Sequence, residues 1–291
     1  MTTLTIFTPT FKRRQTLTRV YESLLTQTSK DFLWMIIDDG SYDGTEELVN
    51  TWIKDNKLNI KFYSQENSGK TKSVNRSIRR TKTPLWLCLD SDDWLDPKAV
   101  EYIIEEYKKI KNDTSVCGMI GLRFENQDTS MQKKNIPTEL LVSTQANIRY
   151  KLGIPPEYVQ VYKTNIIKEH LYPEIEGENF FPLSYMADQL DQKYSMLVLH
   201  NPVMYIEYQE DGITKNNKKH VINNPIGQTI FRHQQFEVAP TLKQKIKAGV
   251  AYNSSKILSK KRIPFKNNTD QILATLLSPL GLIDYLNRFK Y

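Results

Sequence analysis

The chain has 291 residues, 39% of them hydrophobic, enough for one large domain or an average one with an appendage, which excludes a mini-protein; no internal repeat is present. Lys plus Arg number 40 against 33 Asp plus Glu, for a net charge of +7, but residues 241–291 hold ten basic residues against Asp270 and Asp284. That segment therefore carries +8 and residues 1–240 carry −1, which argues against a nucleic-acid-binding core, since such a core carries the charge on its own folded face.

From residue 3 to about 124, short β-branched or aromatic runs alternate with helical patterns, the signature of βαβ units and a mainly parallel sheet. The strands are expected at 3–8, 32–37, 60–64, 85–89 and 116–124. Leu17, Tyr21 and Leu24 mark one helix face between them, Leu48, Trp52 and Ile53 a second, Val74 and Ile78 a third. Val100, Ile103, Ile104 and Tyr107 mark a fourth, with Pro97 suited to its N1 position. Residues 125–150 are polar and read as an insertion; periodicity returns weakly over 158–162, 164–170 and 202–208. The organisation expected is a first half over 1–124, a second over 125–240 and a basic, partly helical tail over 241–291.

Cys88 and Cys117 lie in apolar runs without metal-ligand spacing, as reduced core thiols do. No basic n-region with a long apolar stretch follows Met1, and no run of residues is long and apolar enough to span a bilayer. A cytoplasmic protein is expected.

In an open parallel sheet, ligands bind where the carboxyl ends of the strands deliver their loops. Here those ends run into Pro9-Thr10, Asp38-Asp39-Gly40-Ser41, the segment Gln65 to Lys70, and Asp90-Ser91-Asp92-Asp93. Three acids within four residues repel one another unless a positive charge sits among them. Mg²⁺ or Mn²⁺, which takes carboxylate and phosphate oxygens together, explains them better than a solvated turn with Asp93 or Asp96 as a helix cap. Lys70 and Lys72 are placed to neutralise the same phosphates. Neither a P-loop nor a dinucleotide fingerprint occurs, so the metal must hold a diphosphate. A response regulator would carry its acid pair after the first strand, where this chain has Pro9-Thr10.

The segments TIFTPTFKRRQTL (5–17), IIDDGSYDGT (36–45), QENSGKTKSVN (65–75) and LCLDSDDWLDP (87–97) resemble, in order and interval, four successive motifs of family-2 glycosyltransferases. The resemblance covers about the first 125 residues. It implies an α/β, GT-A-type nucleotide-sugar-binding fold of the bacterial cell-surface polysaccharide kind. It also implies that Pro9, Thr10 and Asp39 contact the nucleoside, that Asn67 and Lys70 lie beside nucleoside and phosphates, and that Asp90, Asp92 and Asp93 form a D-x-D element for ribose and metal. Thr71 departs from the pattern, where relatives often carry His.

The family's base normally comes from a Glu-Asp pair in the acceptor half, and no such dipeptide occurs between residues 124 and 208. Residues 172–194 resemble a subgroup with Gly-Glu in its place, which nominates Glu178 ahead of a 184–194 helix, with Asp188 and Asp191 as rivals. Residues 207–216 resemble the same subgroup's loop near acceptor or diphosphate. Among the four histidines, His220 or His233 is a candidate to complete the metal shell.

The resemblance thus implies an inverting, Mn²⁺- or Mg²⁺-dependent transfer from a UDP-sugar to a hydroxyl of a lipid-linked or envelope glycan. The tail, whose apolar residues 272–289 follow its basic stretch, is expected to bind an anionic membrane on its inner face. Whether the chain is a homo-oligomer is left open. The alternatives are a nucleotidyltransferase, whose glycine-rich N-terminal loop is missing from Phe11-Lys12-Arg13-Arg14, and a catalytically inactive sugar-nucleotide-binding partner subunit.

Overall fold

The computed structural model describes residues 2–125, 135–155, 157–207 and 217–289, which divide into two compact units. The first comprises Met1–Leu171 and Lys193–Gln209, the second Tyr172–Gln192 and Glu210–Tyr291. Residues 241–289 thus belong to a larger unit, and the first unit runs on past Phe124.

The first unit begins β1 (Leu4–Thr10), α1 (Arg14–Leu25), β2 (Phe32–Asp38), α2 (Thr45–Asp55), β3 (Ile60–Ser64), α3 (Lys70–Arg80) and β4 (Leu85–Cys88). Every residue of β1 and β2 is buried, as expected of inner strands covered on both faces, whereas no residue of β3 at the edge is fully buried. Helix α1 turns Leu17, Val20, Tyr21 and Leu24 to the sheet; burying each aliphatic side chain is worth about 1.5–3 kcal/mol. Tyr21 stacks on Trp52 at 4.3 Å, and Trp52 on Trp34 at 5.8 Å. The indole N–H of buried Trp34 donates to Thr8 Oγ1 at 3.0 Å, so the ring is buried without an orphaned donor.

The chain continues through β5 (Trp94–Leu95), α4 (Ala99–Ile110), β6 (Val116–Phe124), β7 (Val142–Ser143), α5 (Gln145–Tyr150), β8 (Tyr158–Lys163), α6 (Thr164–Ile167) and, after an excursion into the second unit, β9 (Ser195–Tyr205). The sheet order is β3-β2-β1-β4-β8-β6-β9-β5, with β7 paired to β9. The first four strands are parallel, as their βαβ pattern predicts; β8 then runs antiparallel to both β4 and β6, so the sheet as a whole is mixed. Strand order reverses between β1 and β4, and a sheet of this kind opens a crevice at that point, outside the carboxyl ends of the two strands. Part of the polar stretch expected as an insertion is ordered by the sheet: β7 pairs with β9, and Thr144 caps α5 by accepting from Asn147 N at 3.1 Å. Pro97 lies in the turn ahead of α4 rather than at N1. Its carbonyl accepts from Thr28 N, and the first helical bond runs from Tyr102 N to Lys98 O.

The second unit contains α7 (Ser184–Leu190), α8 (Asn217–Asn223), α9 (Pro225–Glu237), α10 (Leu242–Ser259), α11 (Asn268–Leu276) and α12 (Ser278–Phe289). Phe236, Tyr252, Ala274 and Leu277 form its buried core with Phe265 against them, so α9 to α11 share one apolar centre. Helix α12 joins through Gly281, where a Cβ would sit 2.3 Å from Asn253 Cβ, so only glycine lets α12 approach α10 this closely. The break in the apolar tail falls at Leu277 between α11 and α12, and Pro279 lies in the first turn of α12. No helix among the described residues is long and apolar enough to cross a membrane.

Candidate donor site

All four loops named from the sequence leave the carboxyl ends of β1, β2, β3 and β4. Pro9 and Thr10 end β1 and are buried; Thr10 pairs with Asp38 in register. Thr10 Oγ1 is buried with no hydrogen-bond partner, the kind of orphan a bound ligand satisfies. Asp39, next to it on the rim, ties the third loop down: Oδ1 accepts from Gln65 Nε2 at 2.7 Å and Ser68 N at 2.9 Å, and Oδ2 from Gly69 N at 2.8 Å. With one donor on Oδ2, the carboxylate keeps an acceptor position. Asn67 is exposed on that loop.

The next residue of α3, Lys70, reaches the fourth loop, with Nζ 2.7 Å from Asp90 Oδ1. Asp90, Asp92 and Asp93 each bring a carboxylate oxygen within 4.8 Å of the others, the one such group of three ligating side chains among the described residues. Arg123 from β6 lies 3.6 Å from Asp93 Oδ2. The three carboxylates thus face Lys70 and Arg123, and Asp92 also feels the charge of Arg13.

The proton affinities show how uneasily these charges are held. Burial pushes the Asp90 carboxyl up, but the Lys70 and Arg123 charges outweigh it and hold it below the usual carboxylate value. Burial, then the neighbouring Asp90 charge, push Asp92 up. The same two causes, opposed by Arg123, push Asp93 up to about 8. Lys70 moves up from the ordinary lysine value because the Asp90 carboxylate outweighs the cost of its burial. Burial also raises the Cys88 thiol, which stays protonated and donates to Asp90 Oδ1 at 3.7 Å. Asp92 and Asp93, kept from ionising by burial and then by the Asp90 charge, fit a divalent cation, which would relieve both costs and accept hard oxygen ligands.

Two residues of this site went unnamed in the sequence. Arg123 had a visible signal, a lone charge near the end of an otherwise apolar strand. Arg19 had none: its guanidinium stacks over Trp94 at 4.4 Å, bonds Glu207 Oε2 at 2.6 Å and donates to the backbone oxygen of Asp92. It fixes the acidic loop from behind. Residues 208–216, the rest of the segment read as an acceptor loop, lie outside the described residues.

The catalytic candidates fall in the second unit. Glu178 is 8% exposed, and its two oxygens accept from Ile226 N and Gly227 N, each at 2.7 Å, in the first turn of α9. A Cβ at Gly227 would stand 3.0 Å from Glu178 Oε2, so the glycine makes room for this clamp. Glu178 is thus a cap on the positive end of α9. Asp188 and Asp191 are half-buried on α7 and just after it; Gln235 Nε2 lies 3.5 Å from Asp188 Oδ2. Neither histidine candidate joins the acidic group. His233 stacks on Phe265 at 4.4 Å beside the unit's core, and His220 stacks on Phe180 at 4.8 Å.

Comparison with known proteins accords with this geometry. Residues 5–170 match the family described as Glycosyl transferase family 2. Over 108 residues the chain is 33% identical to the teichoic acid poly(glycerol phosphate) polymerase of Staphylococcus epidermidis, covering 37% of this chain and 15% of that one. Over 106 residues it is 34% identical to the chondroitin synthase of Escherichia coli, covering 36% and 15%. This chain therefore spans a small part of the length of these relatives. Among solved structures, S. aureus TarS 1–349 in complex with UDP-GlcNAc has a TM-score of 0.58 at 16% identity, over 97% of this chain and 89% of that one. A mannosyltransferase of Pyrobaculum calidifontis in complex with GDP-Man and Mn²⁺ has a TM-score of 0.54 at 12% identity, over 97% and 86%. These likenesses establish a shared fold of the GT-A type. With four motifs converging on one rim and a family match over more than half its length, the chain belongs to glycosyl transferase family 2.

Proposed function

We propose that the chain is an inverting, metal-dependent glycosyltransferase that moves a sugar from a nucleotide-diphospho-sugar, with UDP as the nucleotide, to a hydroxyl of a lipid-linked or envelope glycan. One observation carries the reading: Asp90, Asp92 and Asp93 converge at a sheet switch point with Lys70 and Arg123 against them. The binding of UDP-GlcNAc by TarS and of GDP-Man with Mn²⁺ by the archaeal mannosyltransferase supports it.

In this reading Pro9, Thr10 and Asp39 hold the nucleoside, Asn67 lies beside it, and Asp90 takes the ribose. Asp92 and Asp93 would hold Mn²⁺ or Mg²⁺, which supplies charge to the departing diphosphate. Lys70 adds a fixed positive charge on the same rim and stabilises the leaving group as its charge grows. Arg123 keeps Asp93 near its partners, and Arg19 keeps the loop from shifting as the diphosphate enters.

An attacking hydroxyl has to lose its proton, and Glu178, Asp188 and Asp191 are the carboxylates proposed for that step. Glu178 now serves α9 with both oxygens, which moves the base towards Asp188 or Asp191. The same observation favours a second reading, a sugar-nucleotide-binding partner subunit without turnover. Slow hydrolysis of a panel of UDP-sugars by the purified chain, with Mn²⁺ and with EDTA, separates them. Mn²⁺-dependent release of UDP from one sugar supports the enzyme and names its donor; binding of UDP without hydrolysis of any supports the inactive subunit. An anionic membrane surface, reached through residues 241–291, belongs to the same reading as the place where a lipid-linked acceptor would be met.

A further inference from the structure

The last three helices combine exposed apolar side chains with uncompensated positive charge, both fixed by the packing of the second unit. In α11 and α12 one side is used up: Ala274 and Leu277 enter the core, and Gly281 meets Asn253 of α10. The remainder exposes Ile272 and Leu276 in α11, and Leu280, Leu282 and Ile283 in α12, at 48–71% of their surface. Ile272 and Leu276 are spaced i, i+4, and Leu280 and Ile283 i, i+3, so each pair shares one side of its helix. Scattered exposed aliphatics are ordinary, but five within twelve residues make a patch that water does not favour.

The charge of the segment that carries this patch is one-sided. Both acids of the segment are already paired, Asp270 with Lys245 at 2.5 Å and Asp284 with Arg288 at 3.5 Å. Lys260, Lys261, Arg262 and Lys266 are exposed in the connection that leads into α11, and Lys243 and Lys247 are exposed on α10. A second copy of this chain on the same face would bring like charges together as the apolar side chains met. An anionic lipid surface accepts both features at once: the aliphatics enter the boundary between headgroups and acyl chains while the basic side chains meet lipid phosphates.

We infer that the exposed face of α11 and α12 is a preformed membrane-docking surface, on which the folded second unit lies flat on anionic lipid without inserting a span. This deepens the membrane partner in the proposed function. It is tested without nucleotide or metal, so failure here leaves the donor site standing, and failure there leaves this surface standing. It also decides the kind of variant to use. A chain cut after residue 240 would remove Tyr252, Ala274 and Leu277 from the core around Phe236 and would unfold the unit, so surface substitutions are required.

The experiment is co-sedimentation of the full chain with vesicles of phosphatidylcholine alone and of phosphatidylcholine mixed equally with phosphatidylglycerol, at low and high salt. The chain should pellet with the anionic vesicles only, and less so as salt rises. Leu276→Glu combined with Ile283→Glu should reduce partitioning by about tenfold or more at an unchanged melting temperature. Replacing Lys260, Lys261 and Arg262 by Ser should cost roughly fivefold per residue on anionic vesicles. Equal pelleting of wild type and the double Glu variant overturns the inference. So does a wild-type dimer in analytical ultracentrifugation that the double Glu variant dissolves, if neither protein binds vesicles, because the patch is then a self-association face.

Discussion

Asp93 and Glu178 are both buried carboxylates, yet their surroundings differ in kind. Asp93 sits among Asp90 and Asp92 with Arg123 3.6 Å away, and its proton is held up to about pH 8. Glu178 has a backbone N–H on each oxygen and closes the first turn of a helix. In the first case the fold gathers like charges that burial and one another's presence make costly to ionise; in the second each oxygen meets one backbone donor of a helix's first turn. Electrostatic cost left standing in a folded site points to a missing ligand, and a carboxylate that caps a helix's first turn has an architectural task. The contrast gives Glu178 a structural task beside its proposed role as base, and the acidic loop is where the proposed function places the metal.

The contrast can be broken at its strong end first. Asp92→Asn should weaken Mn²⁺ binding by more than the roughly 10–100-fold that outer-shell groups are worth, with an unchanged or slightly raised melting temperature because a burdened charge is gone. Manganese titration followed by electron spin resonance reads this directly; equal affinity would remove Asp92 from the metal site.

The supporting residues come next. Arg123→Gln and Arg19→Ala should each cost about 10–100-fold in Mn²⁺-dependent UDP affinity. Arg19→Lys should restore little, since an ammonium cannot reproduce a guanidinium that stacks on Trp94 while bonding Glu207 and the Asp92 backbone. Full rescue by lysine would reduce Arg19 to a charge.

At the helix cap, Glu178→Gln places an amide NH₂ against a backbone N–H whichever way it turns. We expect a loss of about 1–3 kcal/mol in the stability of the second unit, with UDP affinity intact, measured by chemical denaturation and calorimetry. Neutral stability with lost turnover would return Glu178 to the role of base, and transfer assays on Asp188→Asn and Asp191→Asn would then show which carboxylate cooperates with it.

The smallest effect is in pH. Because the Asp93 pKa is raised on folding, its contribution to stability is present at low pH and is lost as pH rises towards about 8. In EDTA, Asp93→Asn should therefore raise the melting temperature more at about pH 8 than at about pH 5. An equal gain at both values would place the burden on another group.

The first half was legible because its signals are local. Apolar runs located β1 to β4 to within two residues, and the helix faces placed α1 to α4 between them, although in α2 Val49 is buried where Ile53 was expected, and Ile53 is exposed; the strand-end motifs located Asp39, Lys70 and the acidic loop. What the sequence hid depends on contacts distant along the chain. Arg19 meets Glu207 across 188 positions, and Glu178 meets Gly227 across 49, so neither pairing leaves a local pattern. The antiparallel insertion of β8 between β4 and β6 is hidden for the same reason. The apolar tail was visible, but its division into a core side and an exposed side was not, because Gly281 reads as a helix breaker until Asn253 is seen beside it.

The most direct test of the central claim, that the rim of β1, β2, β3 and β4 is a metal-assisted nucleotide-diphosphate site, is calorimetric titration of UDP into the wild-type chain with Mn²⁺ and again with EDTA. Saturable binding is expected with Mn²⁺, and a loss of about tenfold or more in EDTA. Equal binding in both conditions, or none in either, would contradict it.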